Sequence, residues 1–308
     1  MIILHHYPMS PFSEKIRLMC GYLDLEWQSV VSPESPPRPI VEPLAGGYRR
    51  IPVTQVGADI FCDTRLICAE IAASGGRAEL DPATGDESSQ ALATKFEGEV
   101  FWAAVSSIPA RRVLRRLFSD LSFLQALRFL KDRVGIARSA QTEIVPPKRA
   151  IGLFAEHLRS LEEMLIANGV YLGGDTPVYL DFAAYHTLWF KVVVGGIPIP
   201  SGLPAVTAWY DRMTAHGHGR MQAGSVDDAF AAARTAQPRP VPVALQDHPK
   251  MGAQVVVAPN DYALDATTGL LVGADQSRWI VARETRDLGL LHVHFPTQGF
   301  KLSVESGT

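Results

Sequence analysis

The sequence predicts an α/β unit, then an all-helical unit, then a small β-rich module. Three observations carry this. An apolar strand runs into a capped helix at the N-terminus, Ile2-Ile3-Leu4-His5-His6-Tyr7-Pro8-Met9-Ser10-Pro11-Phe12. Apolar residues recur with helical period from Ser88 to about Ala236. Beyond the proline-alternating stretch 237–243, short alternating segments separated by turn residues read as strands.

Each element has a local cause. Ser10 is a favoured N-cap, and Pro11 fits the first turn, where no N–H partner is needed. Phe12, Ile16, Met19, Cys20 and Leu23 then trace one apolar face, with Glu14, Lys15, Arg17 and Asp24 off it. Strand alternation points one of His5 and His6 inward and the other outward. Trp27 to Val31 reads as a second strand, parallel to the first because a helix joins them. The prolines between Ser32 and Pro43 exclude a regular helix. A strand through Ile51-Pro52-Val53, a turn at Gly57-Ala58-Asp59 and a strand Ile60-Phe61-Cys62 make a hairpin. Asp63 or Thr64 caps the following helix, and Gly75-Gly76 ends it.

After a turn-rich linker at 80–87, helices succeed one another. Ile108-Pro109 ends or kinks the first. The next carries Arg111, Arg112, Arg115 and Arg116 around Leu114, Leu117 and Phe118; a solvated face or dimer rim is the plain reading, nucleic acid the sharp one. A helix through Phe123, Leu124, Leu127 and Leu130 follows, and another begins after Pro146-Pro147 and ends at Asn168-Gly169. A helix from Pro204 ends at His216-Gly217-His218-Gly219. In the tail we expect a small antiparallel sheet or part-barrel that packs against the rest, with His292 and His294 on one face.

The net charge of −3 gives no reason to expect a nucleic-acid partner, and no apolar run approaches the ~20 residues of a membrane span. The N-terminus lacks a basic region, and Cys20, Cys62 and Cys68 form no CxxC pair and no metal spacing. These features point to a cytoplasmic protein with buried, reduced thiols, no metal and no membrane partner.

Over residues 1 to about 235 the chain resembles the cytosolic glutathione transferases. The resemblance rests on Ser10-Pro11-Phe12, Ile51-Pro52-Val53, the hairpin, Asp63-Thr64 and the segment around Asp181. It implies a thioredoxin-like glutathione-binding domain over 1–80 and an all-helical domain over 88–236. The β-rich module at 244–308 lies outside it. By resemblance Ser10 meets the glutathione sulfur, Pro52 is cis, and Val53 bonds the cysteinyl backbone. Asp63 and Thr64 take the γ-glutamyl end, and Arg50 or Arg49, just before Ile51, takes the glycine carboxylate. Phe101, Trp102, Arg112 and Tyr185 are candidates for the wall of an electrophile site. Asp181 matches a capping box whose hydroxyl position is Val178, so half the box is missing. Glutathione as co-substrate, a small-molecule electrophile, a homodimer and a detoxifying role follow from the same resemblance.

The chemistry is coherent without the family. Glutathione carries two carboxylates and an ammonium, so a binder needs cations, an acid and N–H donors at separate places. A helix start plus one hydroxyl donor lowers a thiol from its usual ~8.5 by about one to a few units. Alternatives stay open on each residue. Ser10, Asp63 and Thr64 are also good caps, and Tyr7 or Ser13 competes as the hydroxyl donor. Arg49 and Arg50 also fit a solvated face. A non-catalytic binding or assembly protein is the alternative function, and isomerase or dehalogenase chemistry would use the same thiolate. A thiol–disulfide reductase lacks its cysteine at Tyr7, Met9 and Ser10.

Overall fold

The computed structural model describes residues 1–139 and 145–305, with side chains through Ile136 and again from Val145. Residues 140–144 of the expected helical unit and the last three of the tail lie outside the described residues. Strand β1 (Ile2–His6) leads to α1 (Pro11–Tyr22), and Ser10 caps it, its Oγ accepting from the Ser13 N–H at 3.2 Å. β2 (Glu26–Val31) lies parallel to β1. A short helix α2 (Val41–Ala45) interrupts the proline-rich loop, and β3 (Val53–Val56) and β4 (Asp59–Cys62) form the hairpin. The Ile51–Pro52 bond is cis. α3 (Thr64–Gly75) starts on Asp63, whose side chain accepts from the Arg65 N–H.

The helical layer contains α4 (Glu87–Lys95) and α5 (Phe101–Ser106), joined through a wider turn at 96–100. It continues with α6 (Ala110–Asp120), α7 (Phe123–Ser139), α8 (Pro147–Asn168), α9 (Tyr179–Trp189) and α10 (Pro204–Ala215). Asp181 has no side-chain exposure. It accepts from the Val178 N–H at 3.0 Å, the Leu172 N–H at 2.9 Å and Trp209 Nε1 at 2.8 Å. The Asp181 N–H, which the missing hydroxyl of the box would accept, bonds the Val178 carbonyl instead at 3.0 Å. Glu162 caps α10 from α8 by accepting the Ala205 and Val206 N–H groups.

One strand departs from the sequence reading. A strand β5 (Arg220–Ala223) follows α10, where helical periodicity was expected, and pairs in parallel with β2. Helix α11 (Val226–Thr235), capped by Ser225, follows it. Four residues are too few to show a period, so β5 left no signal.

The tail forms β6 (Gln254–Pro259), β7 (Thr267–Ala274), β8 (Arg278–Thr285), β9 (Gly289–Pro296) and β10 (Phe300–Val304), antiparallel to one another. It is not a closed barrel. β9 pairs in parallel with β4, giving one ten-stranded sheet in the order β10-β6-β7-β8-β9-β4-β3-β1-β2-β5. The edge that β4 would expose is thereby covered. One core joins Val41, Leu44, Tyr48, Ile60 and Cys62 to Val255, Leu271, Val293, Phe295 and Phe300. At this junction a Cβ on Gly47 would lie 2.0 Å from the Ala266 carbonyl oxygen, so only glycine permits the approach.

Helix α1 is buried on more than its apolar face. Glu14, Lys15 and Arg17 are 4%, 0% and 4% exposed, which corrects their placement off the packed side. Ile16 and Met19 share a core with Ile2, Leu4 and Trp27 of the sheet, and α9 and α3 also pack on α1. Both His5 and His6 are likewise buried, because the β1 sheet is covered on both faces.

Candidate functional site

A cleft of about 710 Å³ opens between the start of α3, the α4–α5 turn and the tail. That is within the usual volume of a ligand site. Phe12, Arg50, Asp63, Thr64 and Arg65 line one side and Glu97, Trp102 and Arg149 another. Asp261, Tyr262 and Phe300 close it from the tail.

The cleft's polar groups converge on Lys15. Its side chain is fully buried, and its three N–H donors meet three acceptors: Glu97 Oε1 at 2.6 Å, Thr64 Oγ1 at 2.9 Å and the Tyr179 hydroxyl at 3.1 Å. Tyr179 also donates to Glu97, and Arg65 Nε lies 3.8 Å from Glu97 Oε2. Burial alone would raise the Glu97 carboxyl; the Lys15 and Arg65 charges, with hydrogen bonds from Lys15 and Tyr179, outweigh it and hold it at about 2. Glu97 is therefore a fixed anion on the cleft wall. An ammonium has no lone pair, so Thr64 Oγ1 accepts from Lys15 and keeps its own proton to donate. Spacing sets Lys15 three residues after Phe12 and four before Met19, but nothing local marks its partners Glu97 and Tyr179.

Arg50 lines the cleft and Arg49 does not. Arg50 donates to Asp261 and to the Tyr262 carbonyl, with its guanidinium 3.9 Å from the centre of the Tyr262 ring. Its Nε is buried with no partner among the described residues. Arg49 pairs with Asp132 of α7 and lies 3.8 Å from Asp265. Both expected carboxylate binders thus face protein carboxylates, which rules out the solvated-face reading.

Ser10 is 1% exposed and lies outside the cleft lining, as does the half-buried Tyr7. The Ser10 oxygen accepts the Ser13 N–H and, among the described residues, its hydroxyl hydrogen has no acceptor. A sulfur reaching this hydroxyl requires the side chains covering it to move. Pro52 and Val53 sit where β3 begins, opposite His5 of β1.

Of the wall candidates only Trp102 lines the cleft, at right angles to Tyr262 with ring centres 5.8 Å apart. Tyr185 is core, stacked on Tyr210 with its hydroxyl on Thr214; Phe101 is buried against Phe12; Arg112 bonds the Gly196 carbonyl.

Neighbouring titratable groups are neutral spectators. Arg17 donates to His6 Nδ1 at 2.9 Å and His6 Nε2 pairs with Ser29 Oγ, so burial first and the Arg17 charge second push His6 down to about 3. Burial pushes His5 to about 4, against its bond to Gln55. Cys20, Cys62 and Cys68 are all buried, and burial raises each thiol, so none is a ready nucleophile. His294 is held by Asp59 at 2.9 Å and stacks on Phe61; among the described residues no cluster of three metal-ligating side chains includes it.

Residues 4–77 match the model of the glutathione S-transferase N-terminal domain, and residues 138–212 that of the C-terminal domain. A GST-like protein from Pseudomonas syringae is similar over 99% of both chains, the β-rich tail included, at 32% identity and a TM-score of 0.78. A glutathione S-transferase from Sinorhizobium meliloti is similar over 70% of this chain and 88% of its own, at 19% identity and a TM-score of 0.48. One from Bombyx mori is similar over 70% and 89%, at 15% identity and a TM-score of 0.49. No curated protein sequence matches this one.

Proposed function

The chain belongs to the glutathione S-transferase family, and from that premise we propose that its cleft binds glutathione and activates the thiol for attack on a small electrophile. The observation that carries this reading is the set of charges around one cleft. Glu97 offers a fixed anion to the γ-glutamyl ammonium. Thr64 offers a hydroxyl donor, and the start of α3 partial positive charge, to the γ-glutamyl carboxylate. Arg50 takes the glycine carboxylate by displacing or sharing Asp261. Asp63, Pro52 and Val53 complete the peptide's bed. Arg49, held in its ion pair outside the cleft, is given a structural part.

The sulfur is assigned to the start of α1, where the Ser10 hydroxyl donates to it, with Tyr7 as the competing donor. The thiol proton leaves to solvent. The thiolate then forms a C–S bond, and the electrophile either expels a leaving group or takes up a proton. Positioning both substrates supplies the rest of the rate gain. Trp102, Tyr262 and Phe300 make the apolar wall for the electrophile. We place the enzyme in the cytoplasm as a homodimer.

A binding role without turnover is the second reading, favoured by the 1% exposure of Ser10. Retention on immobilised glutathione together with conjugation of a chloronitrobenzene supports transferase action. Retention without conjugation leaves the binder, and no retention overturns both.

A further inference from the structure

Helices α6 and α7 leave an apolar face exposed. Phe123 and Leu124 are 64% and 66% exposed, and Leu114, Phe118, Leu127 and Val134 are exposed beside them. Phe118 of α6 stacks on Phe123 of α7 with ring centres 6.0 Å apart, so the two helices share one patch. Phe123, Leu127, Lys131 and Val134 follow one another at helical spacing along α7. The same span, residues 110–139, holds eight Arg and Lys against two Asp, a net charge of +6 in a chain of net −3. The two acids are spent within the fold: Asp120 on Arg116 and Asp132 on Arg49. Arg111, Arg115, Arg128 and Lys131 are exposed and make no ion pair among the described residues. Arg133, donating to the Glu34 carbonyl at 3.0 Å, and the Arg49–Asp132 pair pin α7 to the α/β unit, so the patch is presented on a fixed base.

Large apolar side chains among cations discriminate between partners. A solvated face would not expose this cluster. A phosphate backbone would meet the arginines but leave the phenylalanines and leucines idle. A second copy docking by two-fold symmetry would press Arg111, Arg115, Arg128 and Lys131 against the same four cations of its partner. An anionic bilayer surface uses both halves, taking apolar side chains below the headgroups and cations among them. We propose that the α6–α7 face docks this protein on anionic lipid membranes. The contact is peripheral, since no helix among the described residues is long and apolar enough to cross a bilayer.

The test is sedimentation of the full chain with vesicles of phosphatidylcholine alone and of phosphatidylcholine mixed with phosphatidylglycerol. The expected result is recovery with the mixed vesicles only, reversed by high salt. Arg111→Gln with Arg115→Gln is expected to weaken partitioning roughly 25-fold, about fivefold per arginine. Phe123→Ser with Leu124→Ser is expected to weaken it at least as much, with the melting temperature unchanged. Equal recovery on neutral and anionic vesicles overturns the proposal. So does a vesicle-independent dimer that the Phe123/Leu124 variant dissociates, which would give the face to a second copy. Retention on duplex DNA in place of vesicles would give it to nucleic acid.

Discussion

The Lys15 ammonium lies 2.9 Å from Thr64 Oγ1, joining the first helix of the α/β unit to the start of the third. Through Glu97 and Tyr179 the same ammonium reaches the helical layer, so the cleft's geometry depends on a buried cation. Lys15→Met is expected to leave Glu97 charged without its nearest partner and to destabilise the fold by about 3–5 kcal/mol. Lys15→Met combined with Glu97→Gln is expected to recover much of that loss. Denaturant titration of the single and double variants measures the coupling, and additive effects would contradict it.

Asp261 competes with a ligand carboxylate for Arg50. Asp261→Asn keeps the shape and removes the charge, so glutathione is expected to bind several-fold more tightly. Isothermal titration at low salt reads the change. Unaltered affinity would take Arg50 out of the carboxylate site.

The tail and the α/β unit share a sheet and a core, so they are expected to unfold together. Gly47→Ala places a methyl against the Ala266 carbonyl and is expected to cost about 1–3 kcal/mol. Removal of residues 244–308 exposes the β4 edge and is expected to yield aggregating protein. A truncated chain that melts cooperatively at the full-length temperature would show the tail to be an appendage.

Stability is expected to fall in mild acid. Burial pushes His5 to about 4 and His6 and His186 to about 3, with the Arg17 and Lys15 charges adding to the last two. In the unfolded chain they titrate near 6.5, so below that pH the unfolded state binds more protons. Their contribution is complete above about 6.5 and is lost as pH falls towards 4 and then 3, at up to about 1.4 kcal/mol per pH unit each. Denaturant midpoints between neutrality and about pH 5 measure this, and His186→Phe is expected to flatten the slope. A wild-type profile flat over that range would contradict the burial argument.

The fold was legible where periods are long. The strand–loop–helix start, most of the helices from α4 to α10 and the five tail strands follow from spacing and capping residues, whereas α9, buried on all sides, was expected only from the family resemblance. Joining β9 to β4 was not legible, because strand pairing across 230 residues leaves no local pattern. Lys15 was misplaced for a different reason: a charged residue on an apolar face reads as solvated unless its partners are known. Those partners, Glu97 and Tyr179, lie far along the chain. The cleft's tail wall was hidden likewise, since Asp261 and Tyr262 follow a turn whose destination only the sheet order reveals.

The most direct test of the account is the ionisation of bound glutathione, followed by ultraviolet thiolate absorbance as pH is raised. The account predicts a thiol pKa about one to a few units below the usual ~8.5, returned towards that value by Ser10→Ala and not by Tyr7→Phe. A bound thiol that ionises like the free one, or a lowered value that neither substitution moves, would contradict it.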